Sequence, residues 1–143
     1  MPSFTFQLAN LKADGPIIEV LIAPSRHLVE VMQSNKQTPP QPVKAIAMID
    51  TGASSSVVNQ DIIKQLGIEP IAAVKINTPS DSGVSCFQYQ AVIMFPSKVA
   101  IGTSELIAAP LKGQPVQCLI GRDILKNSVL IYNGYAQTIT LSF

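Results

Sequence analysis

Apolar and polar residues alternate with a period of two through most of this chain, and that leaves little room for long helices. In SFTFQL, Phe4, Phe6 and Leu8 face one way, and Ser3, Thr5 and Gln7 the other. PIIEVLIAP puts Ile18, Val20 and Ile22 on one face and predicts a second strand over about 16–23. VKAIAMI predicts a third, ending at Asp50. VSCFQYQAVIMF predicts a long strand with Tyr89, Ala91, Ile93 and Phe95 on one face. Preceded by AAVKINT, it makes a hairpin with a polar tip. KVAIGTSELIAAPL, VQCLIG, SVLIYNG and AQTITLSF supply further strand patterns.

Helices are predicted only where caps mark them. Asn59 is an N-cap for QDIIKQL and Gly67 a C-cap, with Ile62, Ile63 and Leu66 toward the core. RDILKN predicts a second short helix. SNKQTPPQP has three prolines in four residues, which forbid both helix and central strand, so a solvent-exposed loop is expected over about 33–42. Residues 27–32 either continue a strand or start a short turn of helix. The sum is one mostly β domain over residues 1–143, barrel-like or sandwich-like.

Composition narrows the function. Ten Lys and Arg against nine Asp and Glu give a net charge of +1, without a basic block or a Cys/His zinc framework, so nucleic acid and metal have little support as partners. Only 13% of residues are charged, against about a quarter in typical domains. The uncharged surface is therefore either covered by a partner subunit or rich in Ser, Thr, Gln and Asn. No apolar run approaches the roughly 20 residues that span a membrane. No signal peptide is visible, and the expected location is the cytoplasm. Cys86 and Cys118 read as reduced thiols. His27, the single histidine, reads as solvent-facing.

The stretch MIDTGAS, residues 48–54, poses the chemical question. An aspartate closing an apolar strand is commonly a turn former. Here Thr51 adds a hydroxyl, Gly52 a permissive backbone, and apolar residues return at Val57 and Val58. Such a strand can fix a carboxylate on the floor of a cleft. Metal-free peptide hydrolysis can be run by two carboxylates sharing a proton, and that chemistry needs a second aspartate close in space. Asp14, Asp61 and Asp123 have ordinary turn or helix-start explanations, and Asp81 in NTPSDSG lacks an apolar strand feeding it. A two-fold dimer resolves the shortage, because a residue near the axis meets its own copy.

AMIDTGASSSVV together with CLIGRDIL, about 70 residues apart with a hairpin between, resembles the retroviral-type aspartic proteases, including their bacterial and retroelement relatives. The resemblance implies an all-β, closed barrel-like, single-lobe acid-protease domain with one or two short helices and a flap at about 74–90. It implies an aspartic endopeptidase active as a homodimer, without cofactor or metal. Asp50, one from each subunit, would be catalytic, with Thr51 bonding across the dimer and Gly52 contacting carboxylate and substrate. Ala53 and Ser54 would line the cleft. Thr78, Pro79, Ser80, Asp81, Ser82, Gly83 and Val84 would close over the peptide. Ile120, Gly121, Arg122 and Asp123 would support the site from beneath, and the terminal strands SFTFQL and TITLSF would be candidates for the dimer sheet.

This sequence departs from the best-known viral members at Ser54, where they carry an aspartate that pairs with the arginine of the second motif. Arg122 must find another partner, whether a backbone carbonyl, Asp123 or the other subunit. The flap tip has Pro79, Ser80, Asp81 and Ser82 in place of a run of glycines. A non-catalytic peptide-binding or scaffold module of the same fold is the alternative function, and an isolated monomer in solution would favour it.

Overall fold

The structure is a computed structural model that describes residues 1–77, 80, 82–111 and 113–143. Ten strands are described: β1 Ser3–Gln7, β2 Ile17–Pro24, β3 Val43–Ile49, β4 Val57–Asn59, β5 Ala72–Ile76, β6 Val84–Met94, β7 Ala100–Ala109, β8 Cys118–Ile120, β9 Val129–Asn133 and β10 Thr138–Ser142. Four short helices join them: α1 Leu11–Asp14, α2 Arg26–Ser34, α3 Gln60–Leu66 and α4 Arg122–Leu125. The domain is mostly β, as the alternation predicts.

Seven strands form one sheet in the order β2-β3-β8-β4-β7-β6-β5, and a further pairing of β2 with β6 closes six of them into a ring. Inside the ring lie Val20, Ile22, Ala47, Val58, Ile93, Leu106 and Ile120, all essentially without solvent contact. The period-two faces read from the sequence are the buried ones: Ile18, Val20 and Ile22 on β2, and Tyr89, Ala91 and Ile93 on β6, continued by Phe95 just beyond it.

A second sheet, in the order β1-β10-β9, closes one end of this core with Phe4, Ile139 and Leu141. Phe95 stacks on Phe4 at 5.9 Å between ring centroids and lies 5.2 Å from Phe143, joining the two sheets. The terminal strands thus pair with each other inside one chain, from Ser3 opposite Ser142 to Gln7 opposite Thr138. With β9 on its other side, β10 has no free edge, which removes TITLSF as an edge for a second subunit.

The helices exceed the one or two expected. In α3 the Asn59 side chain accepts from the Asp61 N–H, and Gly67 closes the helix in the left-handed conformation. Two others needed tertiary help to be seen. In α1, expected as a plain turn, Asn10 caps the Ala13 N–H while Leu11, 1% exposed, anchors the turn in the core. The open choice at 27–32 resolves as helix: Ser25 accepts from the Leu28 N–H, and the half-buried Leu28 packs against the core. Gln33 and Ser34 belong to that helix, so the proline-rich loop begins at residue 35. No helix of the described residues is long and apolar enough to cross a membrane.

The β5–β6 hairpin pairs Ile76 with Val84 at its last described rung, and the Gly83 N–H donates to Asn77 Oδ1 at 3.2 Å across its tip. Ser80, Ser82, Gly83 and Val84 of the expected flap belong to this hairpin. Thr78, Pro79 and Asp81 lie outside the described residues.

Candidate active site

Asp50 follows the last residue of β3, and its N–H donates to the Ile120 carbonyl at 2.9 Å, continuing the parallel β3–β8 pairing by one step. The chain then turns on the aspartate itself. The Gly52 N–H donates to Asp50 Oδ1 at 2.9 Å, and the Ala53 N–H to the Asp50 carbonyl at 3.2 Å. A Cβ at residue 52 would lie 3.1 Å from that Oδ1, so a side chain there would crowd the acceptor. Asp50 is half-buried, whereas Thr51, Gly52 and Ser54 are exposed.

The second motif grips this loop from below. Arg122 donates from its backbone N–H to the Ala53 carbonyl at 2.9 Å and from Nη1 to the Thr51 carbonyl at 2.7 Å. Of the partners open to Arg122, a backbone carbonyl is the one found. Ile120 holds Asp50, Arg122 holds Thr51 and Ala53, and Gly121 sits between them against the Ser55–Ser56 backbone. Asp50 to Ala53 and Ile120 to Arg122 therefore form one hydrogen-bonded unit, though they are far apart in sequence.

Asp123 is engaged by Ser56 and Thr103. Its Oδ1 accepts from the Ser56 N–H and Oγ, both at 2.8 Å, and its Oδ2 from Thr103 Oγ1 at 2.7 Å. Ser56 Oγ in turn accepts from the Gly121 N–H at 2.9 Å. This network locks β4, β7 and α4 to the second motif. The sequence reading missed Ser56 and Thr103. A signal existed for Ser56: counting back by two from the buried Val58 puts it on the inward face, and it is 0% exposed. Ser56→Ala leaves the Gly121 N–H without its acceptor and Asp123 without one donor. The expected cost is about 2 kcal/mol, read as a lower urea midpoint at unchanged slope.

The remaining described aspartates lie on other elements. Asp14 is exposed on α1, and Asp61 on α3 lies 3.6 Å from Lys64. Among the described residues no group of three His, Cys, Asp or Glu could hold a metal ion. His27 is exposed on α2. Both cysteines are free and buried, and burial, with the Asp123 charge adding to it, pushes the Cys118 thiol up to about 12, so it stays protonated at neutral pH.

A single carboxylate on a two-motif loop, in a one-lobe ring of strands carrying a β5–β6 hairpin, defines an aspartic-protease fold. The chain belongs to the retropepsin-like aspartic proteases: the family model described as gag-polyprotein putative aspartyl protease matches residues 41–127, more than half of its length. That span contains both motifs and the hairpin. Among solved structures, a retropepsin-like aspartic protease from Rickettsia conorii shares the fold at 14% identity and a TM-score of 0.59, over 98% of this chain and 91% of that one. Simian foamy virus (mac) protease aligns at 15% identity and a TM-score of 0.49, over 77% of this chain and 91% of that one. EIAV protease, solved with the inhibitor HBY-793, aligns at 19% identity and a TM-score of 0.48, over 84% of this chain and 93% of that one. No curated protein matches the sequence.

Proposed function

We propose that the protein is an aspartic endopeptidase, active as a homodimer that brings two Asp50 carboxylates together. The observation that carries this reading is the hold on Asp50. Its backbone is fixed to Ile120, its Oδ1 to Gly52, and its turn to Arg122, so the carboxylate is placed rigidly at the mouth of the loop. Rigid placement is what a pair sharing one proton requires.

In this reading the charged carboxylate takes a proton from water as the water oxygen bonds to the peptide carbonyl carbon. The protonated carboxylate gives its proton to the carbonyl oxygen. The tetrahedral intermediate then collapses, the C–N bond breaks, and the nitrogen leaves with a proton from the pair. Thr51 bonds across the dimer beneath the carboxylates, and Gly52, Ala53 and Ser54 line the cleft. The β5–β6 hairpin, with Ser80, Ser82, Gly83 and Val84, closes over an extended peptide and excludes water, and the same role is proposed for Thr78, Pro79 and Asp81. Ile120, Gly121, Arg122 and Asp123 support the loop. The substrate is a peptide or protein, with apolar side chains favoured near the cut, and the working compartment is the cytoplasm.

The test is incubation of the purified chain with a diverse peptide mixture from pH 3 to pH 7, with cuts identified by mass spectrometry. Cuts suppressed by a statin-type transition-state inhibitor are expected. Cuts indifferent to that inhibitor would point to a contaminating or different chemistry. Peptide binding without any cut would favour the scaffold function.

A further inference from the structure

β2 and β3 are paired, with Ile22 opposite Val43, and a hairpin needs only about two to five residues to join such strands. The chain instead runs out through residues 23–42. The last part of that excursion is KQTPPQP, residues 36–42, with three prolines and a single charge, Lys36. We infer that this run is a ligand: a displayed polyproline II segment that docks on a partner protein domain of the SH3 type. The fitting groove is lined by aromatic side chains for Pro39 and Pro42 and carries a carboxylate at one end for Lys36. The inference is independent of the catalytic reading.

The backbone is set for this role. α2 ends at Ser34, Lys36 turns the chain with a left-handed φ of 57°, and the Gln37 N–H donates to the Met32 carbonyl at 2.8 Å. After that bond, none of residues 38–42 makes a hydrogen bond to another described residue. All five are restrained nonetheless. The rings of Pro39, Pro40 and Pro42 fix φ, and Thr38, Pro39 and Gln41 each precede a proline, which disfavours the helical region. Polyproline II has this character: extended, without internal hydrogen bonds, its backbone open to solvent. Such a segment loses little conformational freedom when it docks, which is what aromatic-lined grooves exploit.

The side chains divide the labour. Three residues per turn put Pro39 and Pro42 on one ridge and Pro40 on another. Pro40 is the proline that lines a recess with Leu28 and Met32 of α2 and Leu66 of α3, so it anchors the segment to the domain. Pro42 stays exposed, with Thr38 and Gln41 beside it. Lys36 stands three residues before Pro39, exposed and without an ion-pair partner among the described residues. It is the only charge between Glu30 and Lys44. A lone cation at one end of a proline ridge gives the ligand a direction that a carboxylate in the partner's groove can read.

The experiment is binding of the full chain to an array of purified SH3 domains, followed by calorimetry on those that retain it. A statin-type inhibitor is present throughout, so that no domain is cut or held as a substrate. The variants are Pro39→Ala combined with Pro42→Ala, Lys36→Glu, and Gln41→Ala, each checked for folding by circular dichroism. Wild type is expected to bind at least one domain. Loss of both ridge prolines should raise Kd about tenfold or more, since they are the anchors. Lys36→Glu should raise it about threefold or more, and by less in high salt, as for a charge at the rim. Gln41→Ala, off the ridge, should stay within about twofold of wild type. No binding anywhere on the array overturns the inference, and so does a folded double-proline variant that binds as tightly as wild type. Binding that needs the prolines but ignores Lys36→Glu overturns the acid-ended groove.

Discussion

Asp50→Asn is expected to remove peptide cleavage, by at least a thousandfold on the usual scale of general acid–base catalysis, and to leave the fold intact. The substitution is informative because of what the side chain already does. Asp50 Oδ1 accepts the Gly52 N–H at 2.9 Å, and an asparagine keeps an oxygen able to accept it. The turn survives, while the group loses its ability to take a proton from water or return one to the leaving amine. In a homodimer one substitution neutralises both members of the pair. The measurement is kcat/KM on a peptide found by the cleavage screen, together with the thermal midpoint. A variant that still cuts at more than a tenth of the wild-type rate would sink the aspartic mechanism. A variant that unfolds would show instead that the charge of Asp50 holds the loop.

The largest effect on stability is expected from Gly121→Ala. A Cβ there would sit 2.6 Å from the Ser55 carbonyl carbon, 2.8 Å from its oxygen and 2.9 Å from the Ser56 nitrogen. These are backbone atoms, and they have little freedom to retreat. Ser56 is bonded through its N–H and hydroxyl to Asp123, and its hydroxyl also receives the Gly121 N–H. One methyl group would have to push the two motifs apart. The expected loss is about 3 kcal/mol, the upper range for overpacking, measured by urea unfolding. Gly102→Ala on β7 is the control: a Cβ there meets nothing within 4 Å, and a change under about 0.5 kcal/mol is expected. Equal losses in both variants would show that the close contact at Gly121 is easily relieved. Because Ile120 holds Asp50 and Arg122 holds Thr51, cleavage by Gly121→Ala should fall even under conditions where it remains folded.

The parts of the fold that sequence reading reaches are those written in local pattern. Alternation marks β1, β2, β6 and β10 because each buries one face against the core and turns the other toward water. The Asn59 cap and the Gly67 stop mark α3 for the same local reason. α2 stayed open between strand and helix because PPQP follows it closely, although Ser25 caps it and Arg26 pairs with Glu30 one turn on at 3.0 Å. The two motifs of the site were legible as patterns, and the bonds of Ile120 and Arg122 to the Asp50 loop are what brings them together. The acceptor chosen by Arg122 was not legible, since a carbonyl leaves no trace in the identity of its residue. Thr103 was hidden too: it reaches Asp123 only when β7 and α4 meet. The pairing of β1 with β10 spans the whole chain, and alternation alone does not say which strand a strand will find.

The bond from Arg122 Nη1 to the Thr51 carbonyl has a consequence for working conditions. Where the best-known viral relatives carry an aspartate, this chain has Ser54, and the guanidinium grips an amide oxygen. A carboxylate partner weakens as it is neutralised in acid. An amide oxygen has no proton to gain over the same range, so acidification leaves this one bond unchanged. The clasp between the two motifs therefore stays closed at an acidity that would open an arginine–carboxylate pair.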